Sequence, residues 1–332
     1  MFKRLFAALA GKKSSEQMSS QEKSSDSAED IPAHDIPAQE GPVEMISAYR
    51  EDGSEVHVER EKWLAVAKHN MKNNWDNPDE LYRWILMLVD DGFAAEVIEE
   101  GQHLMEIDPI RERAYTIYGI VLMSSGKLDE AEAVLMGGMK KYGERVTLLT
   151  NLAKVIWEKG DENRAMETLW RAVQLDPNFE NSLMWWLTSI EERDGEAAYL
   201  EALHKVIAMP GAWRAPIILG QYHLAKNEIE TTDAIFCKVL NGQAVDSAAL
   251  MMMADNLGRA GYLDLLIERI GAVYVPEKDN PEVGLSLLQA CKLAGRKDDG
   301  QKLLAIMYDL KIPPLKQRLD EWAAEFKAMP AG

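Results

Sequence analysis

Two short stretches decide the reading: GKLDEA at 126–131 and GDENRA at 160–165. Laid over one another, they bring Gly126 onto Gly160 and Ala131 onto Ala165, each 34 residues apart. The same step leads back from Gly126 to Gly92, and towards the other end it joins Gly261 to Gly295. A fixed period of this length marks an array in which each unit is one supersecondary element that buries its apolar face only against its neighbours. With the glycine as fifteenth residue of a unit, starts fall at 78, 112, 146, 180, 213, 247 and 281, the fourth unit being one residue short.

Within a unit the apolar residues recur with a helical period. Glycine allows a tight turn between two helices. Proline stops the second helix, as in IDP at 107–109 and LDPN at 175–178. The second unit carries Tyr115, Tyr118, Gly119 and Leu122, then Ala131 and Leu135. The third carries Leu149, Leu152, Ala153 and Ile156, then Ala165, Leu169, Ala172 and Pro177. The first has Leu81, Trp84, Leu88 and Pro109. Later units keep the spacing more than the residues. Place twenty, Ala131 and Ala165 in the second and third units, is Tyr199, Thr232, Leu266 and Gly300 in the fourth to seventh.

A 34-residue helix–turn–helix unit of this pattern resembles the tetratricopeptide repeat, and the resemblance covers 78–312. It implies an all-α fold: a right-handed superhelical solenoid of antiparallel helix pairs. Large residues at places four, seven and eleven of the first helix would meet places twenty-four and twenty-seven of the second. The resemblance also implies that the first helices line a concave groove through places two, five, six, nine, twelve and thirteen. Here those places hold Tyr82 and Arg83; Arg113, Thr116, Ile117 and Ile120; Asn151, Lys154 and Trp157; Met184, Trp185 and Thr188; Arg214 and Gln221; and Met251, Met252 and Asp255. Aromatics anchor interfaces and methionine adapts to what it meets, so Trp157, Met184, Trp185, Met251 and Met252 read as a groove for a peptide or helix. The competing reading buries them as core, with only one ring of Trp185-Trp186 facing inward. Relatives that clamp a terminal carboxylate use a Lys/Asn/Asn/Lys/Arg set. Asn151 matches its middle Asn, but Thr116, Ile120, Asn181 and Trp185 stand at the other places, so no such clamp is expected.

Both ends of the array call for caps. Ahead of it, residues 43–77 read as a short β-hairpin turning at Asp52-Gly53, then a capping helix with Trp63, Val66, Ala67 and Met71 on one stripe. Behind it, 313–332 hold a capping helix with Leu315, Leu319, Trp322 and Phe326 on one face, and a tail. Residues 11–42 are rich in Ser, Glu, Asp, Gln, Ala and Pro and read as a disordered linker. Residues 1–10 form an amphipathic tip: Phe2, Leu5, Phe6 and Leu9 share one helical face, with Lys3 and Arg4 beside it. Through residues 1–13 this tip offers a weak peripheral contact with an anionic membrane, or a docking peptide for a partner.

The 55 acidic against 37 basic residues give a formal charge of −18, which repels phosphate backbones and argues against nucleic acid as a partner. Two distant cysteines, Cys237 and Cys291, make no disulfide framework, and no apolar run has the length of a membrane span; the expected location is cytoplasmic. His34, His57, His69, His103, His204 and His223 form no close metal-ligand pair, and no phosphate loop, dinucleotide fingerprint or nucleophile motif occurs. No cofactor, metal or catalytic residue is expected. The expected function is a scaffold or adaptor holding a protein or peptide segment in its groove. A membrane-associated assembly factor and a small-ligand sensor are the alternatives.

Overall fold

The computed structural model describes residues 44–49, 55–242 and 245–329. The tip 1–10, the linker 11–42 and the Asp52-Gly53 turn lie outside them. Strands β1 (Met45–Tyr49) and β2 (Glu55–Glu59) pair antiparallel with Ile46 opposite Val58. Helix α1 (Arg60–Asn73) continues from β2 and buries Ala67 and Met71. The start of α1 is fastened to the first turn of the array. Arg60 donates from Nη1 to the Asp91 carbonyl at 3.0 Å and from Nη2 to that of Gly92 at 3.1 Å, while its guanidinium lies 3.7 Å from the Phe93 ring centroid. Trp63 Nε1 donates to Asp91 Oδ2 at 2.8 Å. Farther along, Lys68 pairs with Glu100 at 2.6 Å and Trp75 stacks on His103 with centroids 4.2 Å apart.

Helices then follow in succession: α2 (Pro78–Asp90) and α3 (Ile98–Ile107), α4 (Arg111–Ser124) and α5 (Leu128–Tyr142), α6 (Val146–Glu158) and α7 (Glu162–Leu175), α8 (Glu180–Asp194) and α9 (Glu196–Ile207). After them come α10 (Arg214–Ala225) and α11 (Ile229–Leu240), α12 (Ser247–Arg259) and α13 (Leu263–Ile270), α14 (Pro281–Leu293) and α15 (Lys297–Tyr308), and finally α16 (Pro313–Ala328). Local chemistry starts several of these. Asn77 accepts from the Asp79 and Glu80 amides with Pro78 in the first turn, and Asn280 caps α14 in the same way with Pro281.

The turn inside each pair has one residue in the left-handed region: Gly92, Gly126, Gly160, Gly195, Asn227, Gly261 and Gly295. The spacing is 34 residues except around the fourth pair. There α8 runs on to Asp194 and the turn falls at Gly195, so the neighbouring intervals are 35 and 32. In the fifth pair the fifteenth residue is Asn227 at φ 59°, and Asn is the side chain that tolerates this conformation best after glycine.

The chain divides into two compact units, the boundary falling between Thr168 and Leu169 within α7. In the first unit one cluster joins α1 to α4 around Met71, Leu81, Leu88 and Leu104, and a second joins α4 to α6 around Leu122, Leu135 and Leu152. In the second unit a core running from Ile217 to Phe326 includes Phe236, Met253, Leu266, Leu288 and Met307. Helix α16 ends this core. It buries Leu315, Leu319 and Phe326, and exposes Lys316, Gln317, Asp320 and Glu321.

Small residues set how closely helices cross. A Cβ on Gly119 would stand 2.7 Å from Leu135 on the next helix, and one on Gly220 would run into the Phe236 ring. Gly300 is covered by the Phe326 ring in the same manner. At Leu266, where the repeat expects a small residue, the opposite helix supplies Gly258, and a Cβ there would meet Leu266 at an ordinary 3.5 Å.

Candidate functional site

In the first unit most of the sequence-picked groove residues are tied into the fold. Arg113 reaches back to Asp79 at 2.7 Å and to the fully buried Asp108 at 2.6 Å, with its guanidinium 4.8 Å from the Tyr82 ring centroid. Asp108 also accepts from the Ile110 amide at 2.8 Å, so the clasp closes the loop between the first two pairs. Burial pushes the Tyr82 phenol up. Arg83 is exposed and pairs with Glu80 on its own helix; Ile120 is half-buried against the first cluster. Thr116 and Asn151 are buried at 5% and 7% exposure; Asn151 donates to the Thr147 carbonyl of its own helix at 2.9 Å. Those two are therefore no accessible groove lining. Lys154 lies deep enough that burial lowers its amine to about 8, and Trp157 is half-buried against the second cluster.

In the second unit, Trp185 and Trp186 are both 7% exposed, so the expectation of a single inward ring is corrected. Trp186 packs on Trp170 with centroids 4.6 Å apart, under the Lys205 ammonium 3.8 Å from the Trp170 centroid. Met184 is 38% exposed and Gln221 is exposed. Met251 and Met252 are half-buried against the core, and Met252 Sδ stands 3.9 Å from Arg214. Arg214 is itself held by Asn178, whose side chain accepts from the Trp213 and Arg214 amides at 2.8 and 3.0 Å.

Asp255 leads to the feature with a binding shape. It is on the rim of a solvent-open cleft of about 410 Å³ between α12, α14 and α16. From α12 come Ala254, Asp255, Gly258 and Arg259; from α14, Glu282, Leu285, Ser286, Gln289, Ala290 and Leu293; from α16, Arg318 and Trp322; Leu263 and Leu266 form the floor. Four small residues, Ala254, Gly258, Ser286 and Ala290, make the room, one helical turn apart on each of two helices. Leu293 is 62% exposed. Two ion pairs stand at the rim: Arg259 with Asp255 at 2.7 Å, and Arg318 with both oxygens of Glu282. The volume falls within the range of ligand-binding pockets, and the lining mixes apolar walls with a few polar groups.

Most of these cleft residues fall at places two, five, six, nine, twelve and thirteen of units starting at 247 and 281. Combined with the recurring left-handed turn and the small-against-large crossings at Gly119 and Gly220, that register settles the architecture. The fold is a tetratricopeptide-type helical repeat. The seventh repeat's Glu282, Leu285, Ser286, Gln289 and Leu293 were missed from sequence although the register marks them, because they carry no tryptophan or methionine to draw attention.

No family model matches the chain, and no curated protein matches it. Among solved structures it is similar to a tetratricopeptide repeat protein from Parabacteroides merdae, with 15% identity over 75% of this chain and 98% of that one, at a TM-score of 0.32. A structure of PilF from Pseudomonas aeruginosa has 16% identity over 75% and 97%, at 0.28. Human IFIT1, as a dimer with m7Gppp-AAAA, has 15% identity over 74% and 58%, at 0.35. The repeat assignment rests on this chain's own turns and crossings. Among the described residues no helix is long and apolar enough to cross a membrane, and no group of three His, Cys, Asp or Glu is placed to hold a metal.

Proposed function

We propose that this protein is an interaction scaffold and that the cleft between α12, α14 and α16 holds a segment of a partner protein. The observation that carries the reading is the cleft itself: an open trough with an apolar floor, a half-buried Trp322, and Leu293 left 62% exposed at its edge. Exposed apolar side chains beside a shaped hollow are what an amphipathic helix or extended segment covers when it docks.

Gly258 supplies the test. It lies in the last turn of α12, and an added Cβ would make only an ordinary contact, so Gly258→Trp fills the cleft from a site that tolerates a side chain. Affinity purification of the tagged chain is expected to yield a partner that is lost from Gly258→Trp and Leu293→Glu while their thermal melts stay near wild type. A peptide of that partner should then protect α12 and α14 from hydrogen exchange. Recovery of the same proteins on all three chains would refute the reading.

The sequence of residues 1–13 supports a second role at an anionic membrane surface. Flotation with phosphatidylserine-containing liposomes decides it: intact protein should rise with the lipid, and equal recovery of a chain lacking residues 1–13 would reject that role.

A further inference from the structure

We propose that the segment held in this cleft carries carboxylates beside its apolar anchor, and that Arg259 and Arg318 recognise them. The proposal rests on the cleft being the docking site and adds the chemistry of what docks there. In each rim ion pair the guanidinium reaches farther into water than its carboxylate: 80% against 52% exposed for Arg259 and Asp255, and 51% against 41% for Arg318 and Glu282. An incoming chain therefore meets cations first.

The donors are also in surplus where they are most accessible. Among the described residues Arg259 uses only Nε, towards Asp255 Oδ1, which leaves both terminal amino groups of a planar fork for a second carboxylate. Arg318 spends its two terminal groups on Glu282 and keeps Nε. A lysine-bearing segment would have to bring its ammonium past these guanidiniums to reach carboxylates already paired. An acidic segment engages the outermost atoms and completes an Arg–carboxylate network whose members are already oriented. The two guanidiniums border the leucine-lined floor and Trp322, so one segment can seat an apolar side chain and reach them with its flanks. The chain's overall charge of −18 opposes this at long range, but at physiological salt such repulsion is screened beyond about 8 Å, and contacts at the rim decide.

The test uses the full chain and two short fluorescein-labelled amphipathic peptides with the same leucine face, one flanked by Glu and the other by Lys, read by fluorescence polarisation. The Glu-flanked peptide should bind about ten-fold tighter, the scale of one charge-assisted hydrogen bond. Arg259→Glu should abolish or invert that preference, Arg259→Gln should weaken it, and Gly258→Trp should remove binding of both peptides. Equal affinities, or tighter binding of the Lys peptide, that still vanish in Gly258→Trp would overturn the acidic chemistry and leave the docking site standing. Binding of neither peptide, or binding indifferent to Gly258→Trp, would overturn the docking site itself.

Discussion

The second repeat and the repeats of the C-terminal unit solve one steric problem with different residues. In the second repeat the solution is orthodox: Gly119 on α4 faces Leu135 on α5, and Ala131 holds the second small place. In the fifth repeat Gly220 admits the larger Phe236, so more volume sits on one side of the crossing. In the sixth Leu266 occupies the supposedly small place, and the facing Gly258 would take a Cβ at an ordinary 3.5 Å, so this crossing is looser than the others. In the seventh Gly300 receives Phe326 from α16, a helix beyond the pair. What recurs in the second, fifth and seventh repeats is a glycine covered by a large side chain, as close-packed interiors require, and not the identity of that side chain.

That comparison is broken most severely at its largest side chain. Phe236→Ala should cost about 3–5 kcal/mol, because the hollow above Gly220 has no side chain to collapse into it, and urea denaturation followed by circular dichroism will show the loss. Next, Gly220→Ala should cost about 1–3 kcal/mol by overfilling the crossing. Combined with Phe236→Leu it should cost less than the sum of the single changes by about 1 kcal/mol, since the pair then carries the Ala and Leu that the third repeat has at Ala153 and Leu169. Strict additivity would sink the idea of a shared volume.

At the turns, Gly160→Ala should lose about 1 kcal/mol, because an L side chain is strained at φ 87°. Asn227→Gly should change stability by less than about 1 kcal/mol, since both residues adopt this conformation and glycine only adds freedom to the unfolded chain.

The smallest effect compares the solvated sides of the two units. Lys159, 2.7 Å from Glu132, and the Arg269 fork on Asp233 hold both carboxyls below their usual range. With lowered native pKa values, the contribution is present above about pH 4 and lost as pH falls through them. Acid titrations of stability for Glu132→Gln and Asp233→Asn should be flatter there, by under about 1 kcal/mol each, since both pairs are open to water.

The fold was legible because the turn writes its requirement into one residue: a left-handed position every 34 residues shows as Gly92, Gly126, Gly160, Gly261 and Gly295 whatever surrounds it. Asn227 and Gly195 blurred the period at the fourth and fifth repeats, where α8 is prolonged. The cleft was much less legible. Its space is made by Ala254, Gly258, Ser286 and Ala290, which draw notice only once the neighbouring helices are in place. Conspicuous residues misled for the complementary reason. Register gives the direction of Thr116, Asn151 and Trp185 around their helices, but not how deeply the surrounding structure covers them, and all three are buried.

The dependence of Phe236 on Gly220 bears on how such chains are recognised at all. A description that scores each position alone does not see that the ring at one place needs the missing side chain at the other. Kinship then shows in joint changes at two positions, and pairs such as 220 with 236 and 300 with 326 are where a comparison of relatives should look for it.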